Sequence, residues 1–337
     1  MAYNTIIISR TDNIGDVVLT LPLAGILKKK FPNVKIIFLG KGYTQPLIEA
    51  STNIDKFENW DEIKKTNRNE KENIFKSWKA DAIIHVYPDK EIAMIAKGAK
   101  IALRIGTSHR FYHWFTCNKR LHFSRKNSDL HETLLNIKLL EPFGIKDIYG
   151  LKNISSFYGL NKLQPLDKSF ASMLDKTKVN LIFHPRSKGS AREWGVENFL
   201  KLTKLLPENK FKIFITGTND DKLQLGFFLK ATPNHVTDLT EKLSLSQLIS
   251  FIHAADGVVA CSTGPLHIAA ALGTTTIGIY APMRPIFPQR WAPVGIKAHY
   301  MVLEKKCNAC KKQNGCRCIM DISPENVAQK INELLIL

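Results

Sequence analysis

The sequence predicts an α/β protein built of two Rossmann-like domains facing one another across a cleft. Three observations carry that reading. Short apolar runs rich in β-branched residues alternate with amphipathic helical stretches through both halves of the chain. The alternation lapses once, between Ile145 and Lys178, where Ser, Asn, Lys and Pro take over. And 337 residues exceed what one core comfortably fills, so two domains of roughly 150 to 180 residues are expected. The expected boundaries are 1–165 for the first domain, 178–322 for the second, and 323–337 for a last helix that packs back on the first.

In the first half, TIIISR (Thr5 to Arg10) is an apolar, β-branched run and reads as a strand. TDNIGD turns the chain. VVLTLPLAGILKKKF then has helical spacing, with lysines in its last turn where they suit the helix dipole. VKIIFLG (Val34 to Gly40) reads as the second strand, YTQPLIEA as a short helix, FENW as a weak strand, and NEKENIFKSWKA as a helix leading into DAIIHVY (Asp81 to Tyr87). EIAMIAKGAK and IALRIG continue the alternation, which argues for a parallel sheet with helices on both faces. SDLHETLLNIKLLEPFG reads as an amphipathic helix ended by Gly144.

The second half repeats the pattern with VNLIFHP (Val179 to Pro185), VENFLKLTKLLP, FKIFITG (Phe211 to Gly217), a helix around LQLGFFLKA, HVTDLT, and a helix through LSQLISFIHAA. The stretch from Asp256 to Met283 closes it as a βαβ unit: a strand from Gly257 to Cys261, a Ser-Thr-Gly-Pro turn, a helix from Pro265 to Leu272 stopped by Gly273, and a strand from Thr275 to Tyr280. SPENVAQKINELLIL is a helix opened by a Ser-Pro signal. Ligands of open parallel sheets sit beyond the carboxyl ends of the strands, so the loops after Arg10, Pro185, Gly217 and Cys261 are where function is expected. In the last of these, Gly264 lets the backbone approach a ligand, and Ser262 and Thr263 offer hydroxyls beside the free N–H groups of a helix start. The same residues also suit an ordinary capped helix.

An apolar content of 44% and a charged content of 23% are those of a globular chain and exclude disorder. No apolar run reaches the ~18 residues of a membrane span. MAYNTIIISRTDNIGD lacks the basic region and apolar core of a signal peptide, so the cytoplasm is the expected compartment. With 48 Lys+Arg against 30 Asp+Glu the formal charge is +18, which favours a polyanionic partner: nucleic acid, an anionic membrane face or a phosphorylated substrate. Between Lys100 and His131 the chain concentrates Arg104, Arg110, Arg120 and Arg125, with Phe111, Tyr112, Trp114 and Phe115 interleaved. That segment is a candidate anion-binding surface.

Five stretches, in order and spacing, resemble one family. They are ISRTDNIGDVVLTLP, HETLLNIKLLEPFGI, HPRSKGSAREW, TGTNDD, and STGPLHIAAALG followed by IYAP. Together they are similar to glycosyltransferase family 9, the bacterial ADP-heptose lipopolysaccharide heptosyltransferases, over nearly the whole chain. The resemblance implies a GT-B fold with the nucleotide sugar held by the second domain. It also implies inverting transfer of a heptose or related sugar from ADP-heptose to a lipopolysaccharide core or lipid A-type acceptor.

The resemblance gives the residues roles that their chemistry supports. Inverting transfer needs a carboxylate to take the acceptor's proton, and the IGD motif places Asp16 there; the competing reading is a helix N-cap. Lys188 and Arg192, the latter two positions before Trp194 as in the family, would neutralise the diphosphate, where the alternative is a solvated basic loop. Thr263 and Gly264 would receive the diphosphate from the other side, and His267 matches the family's histidine. Asp220 or Asp221 stands where the family has an acid near the ribose, and either also suits a helix N-terminus. One departure is Ser262, where the family often carries an acidic residue; a contact requiring a carboxylate there is not provided for. Arg104, Arg110, Arg120 and Arg125 would serve the acceptor, which the family binds on its first domain.

Cys307, Cys310, Cys316 and Cys318 form C-x2-C-x5-C-x-C, a candidate structural zinc site, with reduced thiols or a disulfide as the alternative. The chemistry itself calls for no cofactor, and dependence on a divalent cation is left open. The expected partners are a nucleotide-sugar donor, an anionic glycolipid acceptor and the inner face of the cytoplasmic membrane. Two further readings stand beside this one. A nucleotide-sugar epimerase would share the fold. A nucleic-acid-binding protein would share the charge, but the chain has no recognisable nucleic-acid module.

Overall fold

The structure, a computed structural model, describes residues 3–125, 128–146, 149–304 and 317–336. The chain divides into two compact units, Met1–Lys162 and Leu163–Leu337.

The first unit is a six-stranded sheet of β1 (Thr5–Ser9), β2 (Lys35–Gly40), β3 (Lys56–Asn59), β4 (Ala82–His85), β5 (Leu103–Thr107) and β6 (Lys119–Leu121), in the order β3-β2-β1-β4-β5-β6. Every neighbouring pair is parallel. The chain leaves β1 toward β2 on one side and later returns to place β4 on the other, with Ser9 beside His85 in register. Because helices cover both faces, the central strands are apolar at every position: Ile6, Ile7 and Ile8 are completely buried. On one face Ile7, Ile37, Ile83, Phe75, Ile92 and Trp60 form a continuous core.

The second unit repeats the winding with β7 (Val179–His184), β8 (Phe211–Ile215), β9 (Val236–Asp238), β10 (Gly257–Cys261), β11 (Thr275–Tyr280) and β12 (Ala298–Val302), in the order β12-β11-β10-β7-β8-β9. All its pairs are parallel too. In each sheet the first strand formed lies between the second and the fourth, the doubly wound order of Rossmann-like domains. Trp194, fully buried, anchors the loop after β7 by donating its Nε1–H to Ile322 O at 2.8 Å.

The last helix, Pro324–Leu335, packs on its own unit. Val327, Ala328 and Ile331 are part of the second unit's own core beside Trp194, Phe199 and Ile319. The stretch expected to be a linker is also partly built into the second unit: Ser250 Oγ donates to Gln164 O at 2.5 Å, and Gln247 Oε1 accepts from the Asp167 N–H at 2.9 Å. The single helix read from VVLTLPLAGILKKKF is two, Ile14–Val18 and Pro22–Lys30, because Pro22 lacks the N–H that continuation would use.

Candidate active site

In the first unit the strand order reverses between β1 and β4, and the loop leaving β1 occupies that switch point. It feeds the helix Ile14–Val18, whose N-cap is Asn13. Asp16 is therefore in the first turn and is not the N-cap residue. Its carboxylate is held by Arg10, the last residue before the loop. Arg10 is only 4% exposed and gives one terminal nitrogen to Asp16 Oδ1, Nε to Asp12 Oδ1 at 2.7 Å and the other terminal nitrogen to Glu132 Oε1 at 3.4 Å. Arg125 pairs with the same Glu132 oxygen and also donates to Val86 O at 3.3 Å.

Three carboxylates around one buried guanidinium make an unusual electrostatic environment. Burial pushes Asp16 up from 3.8 to about 6; Arg10 opposes the rise, while Asp12 and Glu132 add to it. Asp12 is raised as well, again chiefly by burial. Burial alone would lower the Arg10 pKa, but the three acids outweigh it and keep the guanidinium charged. A carboxylate poised near neutrality, oriented by a fixed cation, is suited to accept a proton and release it again.

The turn is braced from behind. Thr20 Oγ1 donates to Asp16 O at 2.8 Å, and Asn136 Nδ2 reaches Leu19 O at 3.0 Å and Thr20 Oγ1 at 3.3 Å. Asn136 and Glu132 belong to one helix, Glu132–Lys138, so the HETLLN stretch positions the IGD turn across more than a hundred residues of sequence. Tyr43 closes the near side by donating to Asp12 O at 3.0 Å.

In the second unit the reversal falls between β7 and β10. The turn after β10 starts the helix Gly264–Leu272, with Thr263 as N-cap and Gly273, at φ 80°, ending it. Thr263 is 5% exposed, yet its side chain makes no cap hydrogen bond and its Oγ1 is buried without a partner among the described residues. A helix start with its N–H groups uncapped is disposed toward an anion. His267 is buried one turn further on, its N–H bonded to Thr263 O at 3.3 Å. Ser262 lies near the Tyr280 hydroxyl, which donates to Trp291 O at 2.6 Å.

From the adjacent parallel strand comes the loop after β7. Lys188 and Gly189 both adopt left-handed backbone, at φ 50° and 78°, and Lys188 pairs with Asp220 at 3.6 Å. The loop is fastened by residues the sequence reading passed over: Glu193 accepts from Ser187 N at 2.8 Å and from Arg186 at 2.5 Å, and Arg186 also reaches Gln224. Arg192 stands half-buried between Glu193 and Ala191 in this loop. Of the two adjacent acids, Asp221 is committed to structure, since its Oδ2 accepts both the N–H and the hydroxyl of Thr218 at 2.8 Å in a capping box. Asp220, its side chain 75% exposed, is the one available to a ligand. His184 ends β7 as a neutral group, its pKa brought down to about 4 by burial.

The acceptor surface expected at Arg104, Arg110, Arg120 and Arg125 divides. Arg104 is turned onto the carbonyls of Thr116, at 2.7 Å, and Ile101, and serves the fold. Arg125 is tied to the Asp16 network through Glu132. Arg110 and Arg120 are exposed, and Arg120 lies over the Trp114 ring at 4.7 Å. Of the cysteines, Cys307, Cys310 and Cys316 lie outside the described residues; Cys318 is buried in the second unit's core.

The sequence model of glycosyltransferase family 9 (heptosyltransferase) matches residues 74–319. The chain belongs to this family. It is 22% identical to the lipopolysaccharide core heptosyltransferase OpsX of Haemophilus influenzae over 302 residues, 85% of this chain and 81% of that protein. Its fold is similar to that of a family 9 glycosyl transferase from Veillonella parvula, with a TM-score of 0.78 at 20% identity over 99% of this chain and 98% of the other. The E. coli ADP-heptose lipopolysaccharide heptosyltransferase II shares it with a TM-score of 0.75 at 18% identity over 99% and 98%. The architecture is GT-B, and membership of family 9 makes the protein a glycosyltransferase. Among the described residues, no helix is long and apolar enough to cross a membrane.

Proposed function

We propose that this family 9 glycosyltransferase transfers a heptose, or a closely related sugar, from ADP-heptose to a lipopolysaccharide core acceptor with inversion at the anomeric carbon. The relatives whose names carry these substrates support the choice of donor and acceptor. The observation that carries the mechanism is Asp16, its pKa raised to about 6 against a buried arginine at the first unit's switch point. Asp16 accepts the proton of the acceptor hydroxyl as its oxygen bonds to the sugar's anomeric carbon. The bond from that carbon to the diphosphate breaks on the opposite face, and ADP leaves with the electron pair. The charge that builds on the diphosphate is met by the uncapped helix start at Thr263 and Gly264 and by Lys188 and Arg192. Asp220 faces the ribose, and His267 supports the turn from within its helix. Arg110 and Arg120 attract the acceptor's anionic groups. The scheme requires no cofactor, since these residues supply the positive charge. The acceptor's lipid anchor places the enzyme at the inner face of the cytoplasmic membrane as a peripheral protein.

The test is ADP release from ADP-heptose with and without a core acceptor, with and without EDTA, together with the anomeric configuration of the product by NMR. Acceptor-dependent release with inversion supports the proposal. Release without acceptor, retention of configuration, or preference for a uridine-linked donor overturns it.

A further inference from the structure

The loop joining β5 to the edge strand β6 turns its apolar side outward. Phe111, Trp114 and Phe115 have the i, i+3, i+4 spacing of one helical face, and around the short helix His113–Thr116 they are 80%, 56% and 59% exposed. The opposite face is the buried one: His113, Thr116 and Cys117 point into the unit. Phe111 and Phe115 pack edge-to-face at 5.1 Å, forming a preassembled apolar knob. Large aromatics on a monomer's surface are expected singly, and a cluster of three with its polar side turned inward calls for a partner.

The surrounding charge identifies that partner. No Asp or Glu stands between Glu91 and Asp129 in the sequence, while Arg110, Lys119 and Arg120 fall within five residues of the aromatics and Arg120 lies over the Trp114 ring. Beside them a recess of about 640 Å³ is lined by His109, Trp114, Lys119, Arg120 and His122. A second copy of this face would bring like charges together. An anionic bilayer satisfies both features at once, taking aromatic rings at the level of its headgroups and phosphates in the basic rim. We propose that the loop from His109 to His122 is the membrane-docking surface of the protein, with Phe111 and Phe115 entering the interface and the basic rim holding anionic lipid headgroups. The inference rests on the reading of a lipid-anchored acceptor but names the surface that meets the lipid.

The test is co-sedimentation of the full chain with vesicles of phosphatidylcholine alone, or carrying about 30 mol% phosphatidylglycerol, at low and high salt. Wild type should bind the anionic vesicles, more weakly at high salt, with a blue shift of tryptophan fluorescence. The double variant Phe111→Ser/Phe115→Ser should lose about tenfold or more in vesicle affinity with an unchanged melting temperature and unchanged turnover on a delipidated, water-soluble acceptor. Phe111→Leu/Phe115→Leu should retain binding. Wild-type protein that ignores anionic vesicles, a serine variant that binds them as well as wild type, or a dimer that the serine variant dissolves would each overturn the proposal. A protein that docks as described but transfers no sugar would leave the surface standing and remove the proposed reaction instead.

Discussion

Replacing Asp16 by asparagine separates catalysis from architecture, because the structure gives the two opposite signs. At pH 7 a carboxyl of pKa about 6 is roughly nine-tenths ionised, so wild type works with the base in its useful form. The Asp16→Asn side chain keeps the size and an acceptor oxygen for Arg10 but cannot take a proton, and turnover should fall by about 10² to 10⁴. Stability should go the other way. The folded pKa is raised above 3.8, so the folded state binds this proton more tightly than the unfolded chain; stability is lost as pH rises from about 4 through 6, by at most about 3 kcal/mol. The asparagine variant carries no such penalty, and Arg10 keeps Asp12 and Glu132 as partners. Its melting temperature at pH 7 should equal or exceed that of wild type, with the difference shrinking below about pH 4. In the wild type, kcat/KM should fall below an apparent pKa near 6, reaching about a tenth of its plateau at pH 5. Glu132→Gln removes a negative neighbour, so it should move that acid limb to lower pH. The assay is acceptor-dependent ADP release across pH beside thermal melts. Turnover by the asparagine variant within about threefold of wild type, or an acid limb indifferent to Glu132, would refute the assignment of Asp16 as base.

Arg192→Ala should weaken ADP binding more than adenosine binding, because a charge-assisted contact to phosphate is lost; equal losses by calorimetry would place the arginine elsewhere. Asp221→Ala should lower the melting temperature by breaking the capping box, typically about 1 kcal/mol, while Asp220→Ala leaves it unchanged and raises the donor KM. Charge reversal of Arg110 should raise the acceptor KM with donor affinity intact, whereas reversal of Arg104, which holds two backbone carbonyls, should lower stability first. If the C-x2-C-x5-C-x-C cluster holds zinc, purified protein should contain about one metal per chain and melt earlier with a chelator; Cys307→Ser tests it, since Cys318→Ser would also disturb the core.

How much of this was legible in the sequence depended on the range over which each feature is written. The central strands announce themselves as β-branched runs because both faces are covered, and the boundaries of β10 and β11 agree residue for residue with those read from the Asp256 to Met283 stretch. The edges do not. KRL in β6 and AHYMV in β12 are short, polar or half-buried, and nothing in their pattern marks them as strands. The choice between Asp220 and Asp221 was available, since Thr218-Asn219-Asp220-Asp221 carries the spacing of a capping box with Asp in place of Glu. The Arg10 network was not. Arg10 and Glu132 lie 122 residues apart, and each sits in a stretch that the family resemblance had singled out for its own sake. What joins them is that β4 returns beside β1, bringing the helix after β6 against the turn after β1, a consequence of winding order that no local period records. This also bears on Ser262. Where the family often has an acid at that turn, this chain places Ser262 near the hydroxyl of buried Tyr280, which donates to the carbonyl of Trp291. On a neighbouring loop the carboxylate of Asp220 pairs with Lys188. Restoring a carboxylate at position 262 would therefore place charge against a buried tyrosine, not return a lost contact.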